Sequence, residues 1–359
     1  MFPIAIGGIV ISLGILVIFV PLYYHYAIKA PYHNFPEPVA QKLRRAVYYT
    51  VINPDIREAN KYFRMALEVA KEMGMNPFSD EVLGIKLSVS DSFEKAGHYK
   101  YACDVLEVLR ADCKRYIEMY GERFQTTGDR ARVLKRLVEI SVKLGDLYDT
   151  KYMNEPENAE RVLTDALEIA LRERARRETE GVKQGEGEWM TPEELGATME
   201  SLGSHYEQFD QHYLATPLFL QALTLCPPKS CHGVVLMNNI STCLAQQTPP
   251  PASLSTSTGS LDAFPDAAAP PRTVLIDQAR QWALKAIAHA ATITPPDRNE
   301  ECDVGCAVAT HNLAEFFEQQ GSLKEARLKY EEAASLAKAA GFREGQVNAR
   351  AGLKRLKGV

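Results

Sequence analysis

The sequence predicts an all-α protein: an α-α superhelix of about six helix pairs with a C-terminal capping helix, carried on one N-terminal transmembrane helix. Three observations lead there. Small and aromatic residues recur at helical spacing from residue 39 onward. The run Phe2–Ile28 contains no Asp, Glu, Lys or Arg, and it exceeds the ~20 residues a helix needs to cross a bilayer core. Apolar residues make up 46% of the 359 positions and charged residues 24%, with abundant Ala, Leu, Glu, Lys and Arg, a helix-forming mixture with enough apolar surface for a core. The formal net charge of -5 offers no basic face, so nucleic acid is not an expected partner.

Residues 1–30 are read as the anchor with its interfacial exit. Tyr23, Tyr24, Tyr26 and Tyr32 follow the apolar run together with His25 and Lys29, the mixture that sits among lipid headgroups, so the lipid bilayer is the first expected partner. A cleaved secretory signal is the competing reading; it has an apolar stretch of only about 7 to 15 residues behind a basic segment. The cations nearest the run (Lys29, Lys42, Arg44, Arg45) all follow it, which by the positive-inside rule puts them on a cytosolic or matrix side. Residues 31–38, with Pro31, Pro36 and Pro38, make a stiff spacer.

The repeats then follow in order. Pair 1 has a helix from Val39 to Ile52, a break at Asn53 and Pro54, and Ala59, Phe63 and Ala66 in its second helix. Pair 2 shows Phe93, Gly97, Ala102, Leu106 and Leu109; pair 3 shows Leu144, Gly145 and Tyr148, then Ala159, Leu163 and Ala166. These fill residues 39–171. A charged linker is expected over 172–190, ended by Thr191, Pro192 and Glu194, which read as a capping box with Pro at the first helical position. Pair 4 is the clearest: Leu202, Gly203 and Tyr206, then Ala215, Phe219 and Ala222, with Pro227 as the stop. Pair 5 has Asn239, Ile240 and Leu244, then Ala279, Ala283 and Ala286, split by a Pro/Ser-rich insertion over 248–272 that lacks the apolar content to order itself. Pair 6 has Leu313, Ala314 and Phe317, then Ala326, Tyr330 and Ala333, with Gly321 between. Pairs 4 to 6 fill 191–343, and 344–359 caps the array. Small residues let paired helices approach and the aromatic fills the wedge between them, which is the packing logic of the tetratricopeptide repeat.

Chemistry-bearing motifs are missing. The sequence holds no phosphate-cradling glycine loop, nucleophile elbow or zincin helix, so no catalytic residue, cofactor or metal is expected and the chain is read as a non-enzyme. His205, His212 and His311 are lone helical histidines. The seven cysteines include Cys302 with Cys306, and Cys226 with Cys231 about a Pro-Pro turn. Bridges in an oxidising space stay open for these, but buried thiols are the favoured expectation. Cys103 and Cys113, ~15 Å apart along one helix, cannot pair with each other.

Counted from the glycine position of the motif, the groove-facing sites of the first helices are Asp91, Glu94, Glu139, Asp146, Asp149, Glu200, Glu207, Glu315 and Glu318. They predict an acidic protein-binding groove that prefers clients carrying Lys or Arg beside apolar residues; a merely solvated charge stripe is the competing reading.

With its Tyr-rich exit LYYHYAIKAPYHNFPEP and repeats from KLRRAVYYTVINPDIREANKYFRMALEVAKEMG onward, the chain resembles the fungal tetratricopeptide adaptor subunit of the mitochondrial inner-membrane i-AAA protease. That resemblance implies a single-pass inner-membrane protein whose repeats face the intermembrane space. Its implied partners are AAA-type protease subunits and unfolded or membrane-protein clients, and its implied role is protein quality control and misfolded protein catabolism. The related tetratricopeptide factor that maintains respiratory complex III is the second reading. A chaperone-docking scaffold is the third, disfavoured because Ala46 and Ser90, not Asn, stand four residues after Lys42 and Lys86.

Overall fold

The computed structural model describes residues 32–121, 123, 127–247 and 270–357. Thirteen α-helices and no strand occur among the described residues. They form six pairs: α1 (Glu37–Val47) with α2 (Ile56–Glu72), α3 (Asp80–Lys95) with α4 (Tyr99–Tyr120), α5 (Asp129–Tyr148) with α6 (Pro156–Glu180), α7 (Pro192–Gln208) with α8 (His212–Leu225), α9 (His232–Gln246) with α10 (Arg272–Thr292), and α11 (Glu300–Gln319) with α12 (Leu323–Ala339). A last helix, α13 (Arg343–Arg355), follows them. The described residues are an all-helical set of tetratricopeptide-like helix pairs. The transmembrane helix expected over Phe2–Ile28 and most of the insertion expected over 248–272 lie outside the described residues, among which no helix is long and apolar enough to cross a membrane.

The chain divides into two compact units, the first holding α1 to α4 and the second α5 to α13. In the first, Val39, Leu43 and Ala46 of α1 share a core with Ala59, Phe63 and Ala66 of α2. The Asp55 carboxylate caps α2 by accepting from the backbone N–H groups of Arg57 (2.9 Å) and Glu58 (3.2 Å). The helix expected over 39–52 is not uniform. α1 ends at Val47, and Tyr48–Ile52 forms a single π-helical turn in which the Asn53 N–H donates to the Tyr48 carbonyl at 3.0 Å. There the Thr50 hydroxyl donates to the Ala46 carbonyl at 3.0 Å, competing with the backbone ladder. Gly97, at φ +76°, carries the chain from α3 into α4.

In the second unit the small residues are required by the space they leave. A Cβ on Gly145 would lie 2.5 Å from Leu163 Cγ, and one on Gly203 would lie 2.9 Å from the Phe219 ring. Phe219 and Tyr330 are wholly buried. One core runs from Val138 of α5 through Leu195, Phe219, Ile240 and Ala279 to Leu313 of α11. The capping box at Thr191 is made in both directions, the Glu194 N–H donating to the threonine hydroxyl (3.2 Å) and the Thr191 N–H to the Glu194 carboxylate (2.8 Å).

Two expectations are corrected. The stretch 172–190 is not a linker throughout, because α6 runs on to Glu180. Its charges are consumed internally: buried Glu173 accepts from Arg130 (2.8 Å), Arg176 (2.7 Å) and Arg177 (3.0 Å), and buried Glu186 pairs with Arg176. Burial alone would push the Glu173 carboxyl up, but the hydrogen bonds from Arg176, Arg130 and Arg177 outweigh it and hold the group at about 2. The cysteines are corrected too. Cys231 at the head of α9 and Cys302 in the first turn of α11 form a disulfide, while Cys103, Cys113, Cys226, Cys243 and Cys306 stay outside any bridge. Each candidate pair in the sequence held one correct member. Stacking of α9 beside α11 joins residues 71 apart, a proximity that short-range spacing does not reveal.

Candidate functional site

Two of the groove acids lie in the first unit, both on α3: Asp91 is exposed and Glu94 is half-buried. The others belong to the second unit. Glu139 sits beside Arg136 at 2.6 Å, and Asp146 is exposed about two turns later on the same face of that helix. Asp149 holds the Nδ1 of buried His205 at 2.9 Å from both carboxylate oxygens, joining the end of α5 to α7. Glu200 lies 2.7 Å from Nε2 of His232, joining α7 to α9. Glu207 is half-buried, and burial raises its carboxyl above the usual range. Glu318 accepts from the Tyr330 hydroxyl (2.6 Å) and from Arg355 (3.0 Å), with Glu315 3.9 Å from the same guanidinium.

Five of these acids fall into two kinds. Asp149, Glu200 and Glu318 fasten neighbouring helices to one another, whereas Glu139 and Asp146 border an open cavity. Of the fastening partners, His205 reads in the sequence only as a lone histidine and His232 carries no signal of its own, because each stands on the next pair along the array. His232 also reaches Glu301 at 3.5 Å. Its hydrogen bond to Glu200 favours the imidazolium and, against the cost of burial, raises its pKa to about 9. By linkage that contact contributes fully below the ordinary histidine value and is lost as the pH rises through about 9.

The cavity bordered by Glu139 and Asp146 lies between α5 and α7 and measures about 290 Å³. Val138, Val142, Met190 and Ala197 give it an apolar lining, and Lys135 and Lys143 stand among its acids, Lys135 paired with Glu194 at 2.6 Å. Its rim thus carries both signs of charge. A second cavity of about 230 Å³, lined by Gly196, Glu200, Ala222, Cys226 and His232, opens where α7, α8 and α9 meet. The clamp positions are closed to a carboxylate ligand: Ala46 is buried, and buried Ser90 donates its hydroxyl to the Ala102 carbonyl at 3.0 Å. Among the described residues no group of three or more His, Cys, Asp or Glu side chains could hold a metal ion.

Helix pairs closed by small-residue and aromatic wedges, with a cavity between the first helices of the third and fourth pairs, define a tetratricopeptide-like scaffold, a fold suited to protein–protein interaction. No family model matches the chain. It is 26% identical over 326 residues to a TPR repeat-containing protein of Schizosaccharomyces pombe, covering 90% of this chain and 79% of that one. It is 28% identical over 120 residues to Protein MRG3-like of Saccharomyces cerevisiae, covering 33% of this chain and 25% of that one. Among solved structures, BtubC (BKLC) from P. vanneervenii aligns over 85% of this chain and 91% of its own at 13% identity and a TM-score of 0.48. A putative kinesin light chain with nearly identical TPR-like repeats aligns over 72% of this chain and 96% of its own, at 12% identity and a TM-score of 0.44.

Proposed function

We propose that the chain is a membrane-anchored, non-catalytic adaptor that brings unfolded or membrane-protein clients to an AAA-type protease, the i-AAA complex of the mitochondrial inner membrane, with its repeats in the intermembrane space. The observation that carries this reading is the cavity between α5 and α7. Its apolar lining accepts apolar client side chains, and Glu139 and Asp146 at its edge suit a neighbouring Lys or Arg. The order of parts supports it, since an uncharged run precedes the repeats and bilayer tethering raises the local concentration of client around protease. The Cys231–Cys302 disulfide suits an oxidising compartment.

The test is a pull-down of the full chain from detergent-solubilised mitochondrial membranes, reading protease and trapped client separately. The double variant E139K/D146K is expected to keep the protease and lose client about tenfold, about 1.4 kcal/mol. Equal client recovery would move the binding surface elsewhere. Recovery of respiratory-chain subunits without any AAA protease would replace the adaptor reading by complex III maintenance.

A further inference from the structure

The end of α1 and the π turn after it present large apolar side chains to solvent: Val47 is 38% exposed, Tyr48 45%, Val51 58% and Ile52 70%. Spacing of four sets Val51 over Val47 and Ile52 over Tyr48, so the four make one patch instead of scattered contacts. Beside it stands an aromatic and cationic border. Tyr48, Tyr49 and Tyr62 follow ring against ring at 5.3 and 5.7 Å, and the Arg45 guanidinium lies over Tyr62, donating to its hydroxyl at 3.3 Å.

The chain also fixes where this patch can be. Tyr32 packs into the α1–α2 core, its ring 5.9 Å from the guanidinium carbon of Arg44, one helical turn before the patch. The uncharged run of the sequence ends at Ile28, four residues before Tyr32. At ~3.5 Å per residue of extended chain and ~1.5 Å per residue of helix, the patch is tethered within about 30 Å of the point where that run ends. Local charge is opposite to that of the whole. Between Lys29 and Lys61 the cations Lys29, Lys42, Arg44, Arg45, Arg57 and Lys61 outnumber Glu37, Asp55 and Glu58, although the chain carries -5.

We propose that the first unit docks on the membrane surface itself, laying Val47, Tyr48, Val51 and Ile52 into the headgroup boundary of an anionic phospholipid bilayer while Lys42, Arg45 and Arg57 meet the phosphates. This inference rests on the anchored reading of Phe2–Ile28. Apolar side chains, tyrosine rings and cations together match the chemistry of the interface, where each ring keeps its hydroxyl wet and its body dry. The tether makes the encounter local, so a small patch is sufficient.

The test uses the full chain in detergent micelles, in phosphatidylcholine nanodiscs and in nanodiscs that also contain phosphatidylglycerol, reading hydrogen exchange of the amides from 45 to 61. Exchange there should be several-fold slower in the anionic discs than in micelles. V51E/I52E should return it to the micelle rate while the protein stays in alkaline-washed vesicles, and K42Q/R57Q should remove only the dependence on phosphatidylglycerol. A chain that stays anchored yet exchanges equally in discs and micelles overturns the docking surface. So does protection that V51E/I52E leaves unchanged. Release of the unmodified chain into the alkaline supernatant overturns the anchored reading, and the docking surface with it.

Discussion

The fourth and sixth helix pairs close the same wedge by different means. Between α7 and α8 the aromatic is Phe219, wholly buried in one cluster with Leu236 and Ile240 of the following pair, and Gly203 makes room for its ring. Between α11 and α12 the aromatic is Tyr330, equally buried, and α13 rather than a further pair covers it. There the glycine comes from the capping helix: a Cβ on Gly352 would lie 2.5 Å from the Tyr330 ring. Arg355 of the same helix donates to the Tyr330 hydroxyl at 2.9 Å, and that hydroxyl donates to Glu318 at 2.6 Å. An interior pair is sealed with apolar surface by its neighbour, whereas the last pair is sealed with a polar clasp that can also face water. Tyrosine suits the terminal position because its hydroxyl finds partners there.

Substitution separates the two seals. Phe219→Ala should cost the most, about 3 to 5 kcal/mol by transfer and cavity formation, read as a fall in the urea midpoint at constant slope; a loss below about 2 kcal/mol would mean that this wedge does not hold the unit together. Next come the glycines. G203A should cost about 1 to 3 kcal/mol through overpacking, and G352A less, because α13 is covered on one side only and can move outward. The reverse order would contradict the contrast between an interior seal and a terminal clasp. Y330F should cost about 1 kcal/mol, and R355A on top of it little more, since both remove one clasp; full additivity of the two would show that they act independently.

The smallest effect is set by pH. The Arg355 hydrogen bond, against the cost of burial, holds Glu318 below the ordinary carboxylate value of 4.5. A depressed carboxylate stabilises above its unfolded value and loses that contribution as the pH falls, so acid should loosen the clasp and leave the Phe219 seal alone. Hydrogen exchange of α12 and α13, corrected for intrinsic rates, should accelerate as the pH falls from about 5 to about 3 relative to α8. Parallel acceleration in both would remove the distinction.

The helix pairs were legible because their signal is local. Gly203 with Phe219, or Ala326 with Tyr330, lie within one pair, and their spacing is a direct record of packing. Features made between pairs were not. Asp149 needs His205, 56 residues away, and Glu200 needs His232, 32 residues away, so acids that looked like a client surface are partly fasteners. The overrun of α6 to Glu180 escaped for a similar reason, since Glu173 reads as a solvated charge until Arg130, 43 residues earlier, is brought to it. The π turn at Tyr48–Ile52 has no spacing signature of its own. The cavity of α5 and α7 carries both signs of charge, and a count of acids alone passes over its lysines Lys135 and Lys143.

The Cys231–Cys302 bridge gives the second unit a property that no helix contact provides. It encloses α9, α10 and the whole stretch between them within one covalent ring of the chain. A single cut by a protease anywhere from His232 to Glu301 opens that ring without releasing a fragment, so the clipped protein keeps its mass and migrates as one species until a thiol reductant divides it in two. For a protein proposed to work beside a protease, a cut in the Pro/Ser-rich stretch would leave the α5–α7 cavity and the capping helix on the same molecule.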